Sequence, residues 1–522
     1  MKRRTLIINA LILTLTTMTL GFISTSFRVY LSNKIGPEGM GLYQLIMSIN
    51  IMVSTLAISG IRVTTTRLIA EELGKNNRCK IRSIMKKSFI YTLFASILAF
   101  LLLYNGAEFI STMWIEDTRA IVPLKILSCS LPFLGIGACF HGYFYGMRRV
   151  IKSVTSDVLE VCTMMAIIAS FMSIALPKGL NFTCILISVG MSVSIIISTI
   201  YCYILYVFEK KAMYRNNGYN DNCKFSEITN IAIPIAWSAY INTGLRTIED
   251  LLIPDALRRY GSSTATSLAI FGMIKGMVLP ILSFPSIFLA SFSTLIIPEI
   301  SESNALNQKK RINYILNKVF KFTLFIAMFA SGLFIIYSNE LGMGLYNNSK
   351  VGVLMKILAP LIPFMYLDRI VDGSLNALNQ QMSTLRYNFI DMTVRMFLIY
   401  FLIPVKGIDG FIAVLFVGTL LNASLSINRL LKVTKLDFLL VDWIIKPGVC
   451  ITIASFLTKF SFDLIGIGFL LPLEVVITMV VYFFLLISFR SIEKSDIMWF
   501  IDAFKSDAKV VEWNDLGIYK RM

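Results

Sequence analysis

Long, unbroken apolar segments recur through this chain, near residues 6–30, 42–69, 87–104, 121–146, 154–176, 182–208, 228–257, 265–297, 315–337, 352–378, 385–403, 408–431, 443–461 and 464–488. Crossing the hydrocarbon core of a bilayer takes roughly 20 apolar residues in a helix, so most of these segments match a membrane span in length. A membrane barrel would need short segments that alternate apolar and polar residues, which these do not. The expected fold is therefore an all-α polytopic membrane protein of about 14 transmembrane helices. Composition agrees, with 56% of the 522 residues apolar, 15% charged and a mean hydropathy of +0.72. Soluble enzymes, secreted modules and disordered chains are excluded.

The net charge of +18 would suggest nucleic acid in a soluble protein, but here its distribution follows topology. The opening MKRRTLIINALILTLTTMTL has a basic start and an apolar middle but no convincing cleavage site, and is read as an uncleaved first span. With that end inside, 33 of the 49 Lys and Arg fall on the inner face, eight on the outer face and eight within spans. This asymmetry predicts both termini in the cytoplasm and leaves no call for a nucleic-acid partner. Loops reach only about 20 residues and the tail after Arg490 only 32, so function must reside among the helices. No catalytic constellation is visible, and no cofactor is expected. The eight cysteines form no CxxC pair and His141 is the only histidine, a pattern with no metal site in it. The glycine-rich GPEGMG (36–41) follows no strand, and no Walker lysine motif accompanies it.

The chain also repeats itself. At an offset of 231 residues, IRSIMKKSFIYTLF (81–94) lines up with INYILNKVFKFTLF (312–325), and LKILSCSLPFLGIGACFHG (124–142) with MKILAPLIPFMYLDRIVDG (355–373). Segments 1 to 6 are thus repeated by segments 7 to 12, which predicts an N-lobe over 1–224, a C-lobe over 225–435, two added helices over 436–490 and a cytoplasmic tail over 491–522. An even number of spans per repeat gives both halves the same orientation. Parallel repeats of this kind are one hallmark of alternating-access transporters.

Specific motifs carry a resemblance. FRVYLSNKIGPEGMGLYQL (27–45), SGIRVTTTRLIAEE (59–72), LPFLGIGACFHGYFYGMRR (131–149), LLIPDALRRYG (251–261), GMVLPILSFPS (276–286) and LIIPEISE (295–302) resemble the stage V sporulation protein B and polysaccharide flippase family of the multidrug, oligosaccharidyl-lipid and polysaccharide exporter superfamily. The resemblance implies a two-lobed bundle in the bacterial cytoplasmic membrane. It implies a flippase that moves an undecaprenyl-diphosphate-linked saccharide, such as lipid II or a related envelope precursor, between leaflets by alternating access, with spore cortex synthesis among the processes served. RRVIKSVTSDVLEV after segment 4, and Arg62, depart from the pattern of many relatives and leave the saccharide unassigned.

Ionised groups in hydrocarbon cost several kcal/mol by the milder scales and therefore mark cavities, partners or interfaces. Arg28, Arg62, Arg246 and Lys275 stand on segments 1, 2, 7 and 8, which in the resembling flippases line the central cavity. Guanidinium forks match diphosphate oxygens bidentately, so these four are the candidate substrate-binding residues. Snorkelling and local pairing are the structural alternatives. Glu249 and Asp250 lie within one turn of Arg246, and either neutralise it or bind a coupling proton or cation. Asp157 and Glu160 on segment 5 are further candidate coupling or cavity acids, or lie near the cytoplasmic entrance. Asp368, Arg369 and Asp372 form a similar cluster on segment 10, read as structural. The competing functions are a cation- or proton-coupled multidrug exporter, which basic cavity residues disfavour, a membrane-bound saccharide polymerase or ligase, and an assembly scaffold.

Overall fold

A computed structural model describes residues 3–75, 77–213, 223–436, 441–465, 471–489, 491–493 and 496. All fourteen apolar segments are mainly helical in their described parts, with turns at 59–60 and 284–285, and no strand occurs among the described residues. In chain order the α-helices are α1 Arg3–Ile58, α2 Ile61–Gly74, α3 Arg78–Phe109, α4 Ile121–Gly146, α5 Val150–Ala175, α6 Leu180–Met213, α7 Phe225–Arg259, α8 Thr264–Phe271, α9 Leu279–Ser283 and α10 Ser286–Ala305. They continue as α11 Lys309–Ile336, α12 Ser338–Tyr346, α13 Ser349–Leu358, α14 Ile362–Ala377, α15 Gln381–Thr434, α16 Lys446–Ile465 and α17 Leu471–Ser488. Among the described residues, eleven helical stretches are long and apolar enough to cross a membrane, and the chain is a multi-pass membrane protein. Two of the eleven, Thr14–Gly74 and Gln381–Thr434, each contain a break that divides them into separate arms.

Where the helices bend follows from residue chemistry. Gly36 (φ 69°) breaks α1 and Gly407 (φ 57°) breaks α15, each in a left-handed conformation that only glycine adopts cheaply. The segment expected as one helix over 265–297 is instead divided into α8, a π-helical turn Gly272–Val278, α9 and α10. Pro285 stands at the break before α10, and Gly272 and Gly276 lie in the wide π turn, a pattern of kinks that neighbouring helices stabilise in a membrane.

The duplication is written into the turns. Glu116 (φ 55°) and Asn347 (φ 48°) are left-handed, and so are Arg148 (φ 61°) and Asn379 (φ 60°). The members of each pair are 231 residues apart (347 − 116 and 379 − 148), the offset of the sequence repeat. The next residues, Asp117 (φ −146°, ψ 110°) and Asn348 (φ −145°, ψ 110°), both cap the following turn with a side-chain oxygen, accepting from Arg119 N at 2.9 Å and Lys350 N at 3.0 Å. Two different residue types thus make the same cap, because a carboxylate and an amide oxygen both accept from a backbone N–H.

The chain forms two compact units: residues 1–18, 282–387 and 419–522, and residues 19–281 and 388–418. In the second, α4 packs against α2, α3 and α6 through bare glycines. A Cβ on Gly135 would lie 2.7 Å from Thr92 Cγ2, on Gly142 2.8 Å from Arg62 O, and on Gly146 2.8 Å from Ile69 Cβ. Dispersion across such close backbones replaces the hydrophobic drive that lipid does not supply. In the first unit, buried phenols find backbone acceptors, Tyr366 donating to Leu282 O at 2.7 Å and Tyr482 to Phe325 O at 3.0 Å. Asp496, beyond α17, ties back to α11 by accepting from Lys318 and, at 2.6 Å, from Lys321.

Burial alone would raise the Asp496 carboxyl, but the bonds from Lys318 and Lys321 outweigh it and hold the group below the ordinary carboxylate range. Such a group stabilises the fold above the unfolded value of about 3.9 and gives that stability up as pH falls toward the folded value. Asp496→Asn should therefore lower the unfolding midpoint of detergent-solubilised protein at neutral pH, with a deficit that closes below about pH 4; a deficit unchanged by pH would contradict the ion pair. Gly142→Val should cost about 1–3 kcal/mol by overpacking against α2. By contrast Gly244→Ala, where nothing lies within 4 Å, should be tolerated; the same thermal unfolding measurement separates the two.

Candidate functional site

Helix α7 runs antiparallel along the second arm of α1. Thr247 donates to Ser48 O at 3.0 Å and, one end further on, the Tyr240 hydroxyl meets Ser59 Oγ at 2.7 Å. The π turn after α8 crosses that same arm backbone to backbone. A Cβ on Gly272 would lie 2.1 Å from Pro37 O, and one on Gly41 would lie 2.0 Å from Leu268 O, so only glycine permits this approach. The crossing fixes the level of Lys275, which the π turn carries against α7.

There Lys275 Nζ lies 3.2 Å from Glu249 Oε1 and 3.0 Å from Asp250 Oδ1, its side chain 19% exposed against 8% for Glu249. Ser48 completes the arrangement by donating to Asp250 Oδ2 at 2.6 Å. From α15, Arg395 Nε donates to Asp391 Oδ1 at 2.9 Å while its NH1 stands 4.0 Å from Glu249 Oε1. The charge of Arg246 also acts on Glu249 and Asp391. Two cations, Lys275 and Arg395, thus pair with three carboxylates, with Arg246 acting from beyond ion-pair distance, which lowers the cost of holding ionised groups in a low-dielectric interior.

The residues singled out in the sequence separate into groups. Lys275, Glu249 and Asp250 come together, and the carboxylates pair with Lys275 rather than with Arg246. Arg28, Arg62 and Arg246 are exposed, and among the described residues no carboxylate lies within ion-pair distance of any of them. Arg62 stacks over the Tyr145 ring at 5.2 Å, and the charge of Arg28 acts on the Tyr43 phenol. Asp157 and Glu160 occupy a separate polar patch on α5. His141 Nε2 is 3.8 Å from Asp157 Oδ1, the His141 ring bonds Ser153 through Nδ1, Glu160 lies beside Ser198, and the charge of Arg62 acts on both His141 and Asp157. In the first unit Asp368 accepts from Asn422 Nδ2 at 2.9 Å, whereas Arg369 donates to Ser286 at 3.0 Å.

Arg395 and Asp391 were not singled out in the sequence. Their signal is a carboxylate and a guanidinium four residues apart, on one helix face, within a mainly apolar segment. Lys275→Met should leave Glu249 and Asp250 short of a counter-charge and cost about 3–5 kcal/mol. Neutralising the acids as well, in a Lys275→Met, Glu249→Gln, Asp250→Asn variant, should restore most of the lost unfolding midpoint.

Comparison with known proteins agrees with this architecture. Residues 6–259 match the family described as polysaccharide biosynthesis protein. The chain is 23% identical over 510 residues to stage V sporulation protein B of Bacillus subtilis (strain 168), covering 95% of this chain and 98% of that protein. Its fold is similar to the lipid II flippase MurJ in an inward closed conformation, with a TM-score of 0.63, 16% identity and coverage of 92% of this chain and 99% of the other. It is similar as well to an inward-facing multidrug resistance transporter of the MATE family, with a TM-score of 0.63, 12% identity and coverage of 82% and 99%.

Proposed function

From the premise that the chain belongs to the polysaccharide biosynthesis protein family, we propose that it is a flippase for an undecaprenyl-diphosphate-linked saccharide, lipid II or a related envelope precursor. The observation that carries this reading is the set of three exposed arginines on membrane helices, Arg28, Arg62 and Arg246, with no carboxylate in ion-pair reach among the described residues. A cation left in that setting favours an anion, and a diphosphate offers the oxygen pairs that guanidinium forks bind. Lys275, partly buried and paired, is the fourth member, reached by substrate when its carboxylates yield it. Family membership and the likeness to stage V sporulation protein B support a cell-envelope substrate, with spore cortex synthesis as the process.

In this reading the two six-helix repeats, 1–224 and 225–435, are the lobes of an alternating-access carrier in the bacterial cytoplasmic membrane. Residues 436–490 are an added pair of helices, and both termini, with the 491–522 tail, are cytoplasmic. No covalent step is assigned to any residue. Glu249 and Asp250 are internal counter-anions of the cavity, and Asp157 and Glu160 are the acids assigned to a coupling proton or cation. Export of organic cations, the rival function, is disfavoured because a cationic drug would be repelled by the three arginines.

Proteoliposomes containing fluorescent lipid II test the reading. The wild-type chain should translocate the lipid, and an Arg28→Ala, Arg246→Ala variant that still folds should lose at least about tenfold in rate, as expected when charge-assisted hydrogen bonds are removed. A folded wild type that does not translocate lipid II, with or without a membrane potential, would overturn the assignment of lipid II as substrate.

A further inference from the structure

We propose that Arg395 is a further diphosphate-binding residue, and that Asp391 and Glu249 occupy Lys275 and Arg395 as internal stand-ins for the diphosphate oxygens. The inference rests on the flippase reading and deepens it, since it names what substrate must displace.

Three observations carry it. The first is the room that a glycine leaves for the guanidinium. The arms of α15 are separated at Gly407, with Arg395 on one and Gly418 on the other. An ideal Cβ on Gly418 would lie 2.2 Å from Arg395 Nε and 2.6 Å from Cζ. The guanidinium therefore packs against the bare backbone of Gly418, and a side chain at 418 would force it to shift. A site that needed only positive charge would accept lysine, whereas a guanidinium packed against a glycine and bonded through Nε to Asp391 presents its remaining N–H groups as an oriented fork.

The second is that Glu249 is shared. Its Oε1 is 3.2 Å from Lys275 Nζ and 4.0 Å from Arg395 NH1, so one carboxylate stands where an anion bridging both cations would stand. The third is the tether from Asp391, whose Oδ1 accepts from Arg395 Nε at 2.9 Å. Carboxylate and phosphate oxygens present equivalent acceptors to a guanidinium. The internal acids and the diphosphate therefore compete for one pair of cations.

Competition makes a prediction of opposite sign from simple structural support. Asp391→Asn keeps the Oδ1 acceptor that orients Arg395 but removes the competing charge. Binding of undecaprenyl diphosphate, without saccharide, would be measured by titration of the purified full-length chain in lipid nanodiscs. Asp391→Asn should tighten binding about threefold or more, and Arg395→Gln should weaken it at least about tenfold. Arg395→Lys should not rescue the loss. Gly418→Ala should weaken binding in the wild-type background and have no further effect when Arg395→Gln is already present.

Each variant is checked for folding by thermal unfolding, and Asp391→Asn decides the matter even where Arg395→Gln fails to fold. Asp391→Asn binding no tighter than wild type, Arg395→Gln binding as well as wild type, or a wild type that does not bind the probe, each overturns the inference. If the probe binds with the expected pattern but lipid II is not translocated, the assignment of lipid II as substrate falls and the anion site stands. If lipid II is translocated but Asp391→Asn leaves affinity unchanged, the reverse holds.

Discussion

A charge inside hydrocarbon must be answered by a counter-charge, by water or by a ligand, and the organisation of α7, α8 and α15 follows from how that demand is met. Lys275 is answered by Glu249 and Asp250, Asp250 in turn by Ser48, and Arg395 by Asp391. Arg28, Arg62 and Arg246 are exposed, with no carboxylate in reach among the described residues. Cations of the first kind hold helices together, and those of the second kind invite an anion. A transporter of an anionic lipid needs both, because a site made only of unanswered charge would not survive in the membrane when empty.

Glycine determines how closely these elements approach. Gly41 and Gly272 let two helical backbones touch at the level of Lys275, Gly418 clears the face on which Arg395 lies, and Gly135, Gly142 and Gly146 press α4 onto its neighbours. Water-soluble helices would gain from larger apolar side chains at such positions. In lipid, which solvates leucine as well as any core does, closeness itself is the source of stability. Glycine turns at Gly36 and Gly407 serve a different end, breaking long helices where the chain changes direction.

The duplication shows how tolerant backbone geometry is of side-chain identity. Asp117 and Asn348 share φ and ψ to within one degree and cap the next turn in the same way, though one is charged and the other neutral. At the turns after the fourth and tenth segments, Arg148 and Asn379 both adopt the left-handed conformation. Arginine gives no hint of a left-handed turn in sequence, so only the alignment of the repeats marks Arg148. The same equivalence sets His141 opposite Asp372, at 231 residues' separation in the aligned motifs. The fold is retained while the polar chemistry of the two repeats has diverged.

Hydrophobic run length determined the all-helical membrane fold, because a span's length is fixed by bilayer thickness and not by its partners. Self-similarity determined the duplication, and placement in apolar runs identified Arg28, Arg62, Arg246, Lys275, Glu249 and Asp250 as residues that must be accounted for. The sequence could not say which charge answers which. Spacing along α7 puts Glu249 and Asp250 beside Arg246, yet the carboxylates turn to Lys275 across the helix interface, and Arg395 enters from a segment more than a hundred residues away. Pairing in a low-dielectric interior depends on distances of a few ångström between side chains on different helices. Those distances are set by where the glycines let backbones meet, and only the tertiary structure decides that.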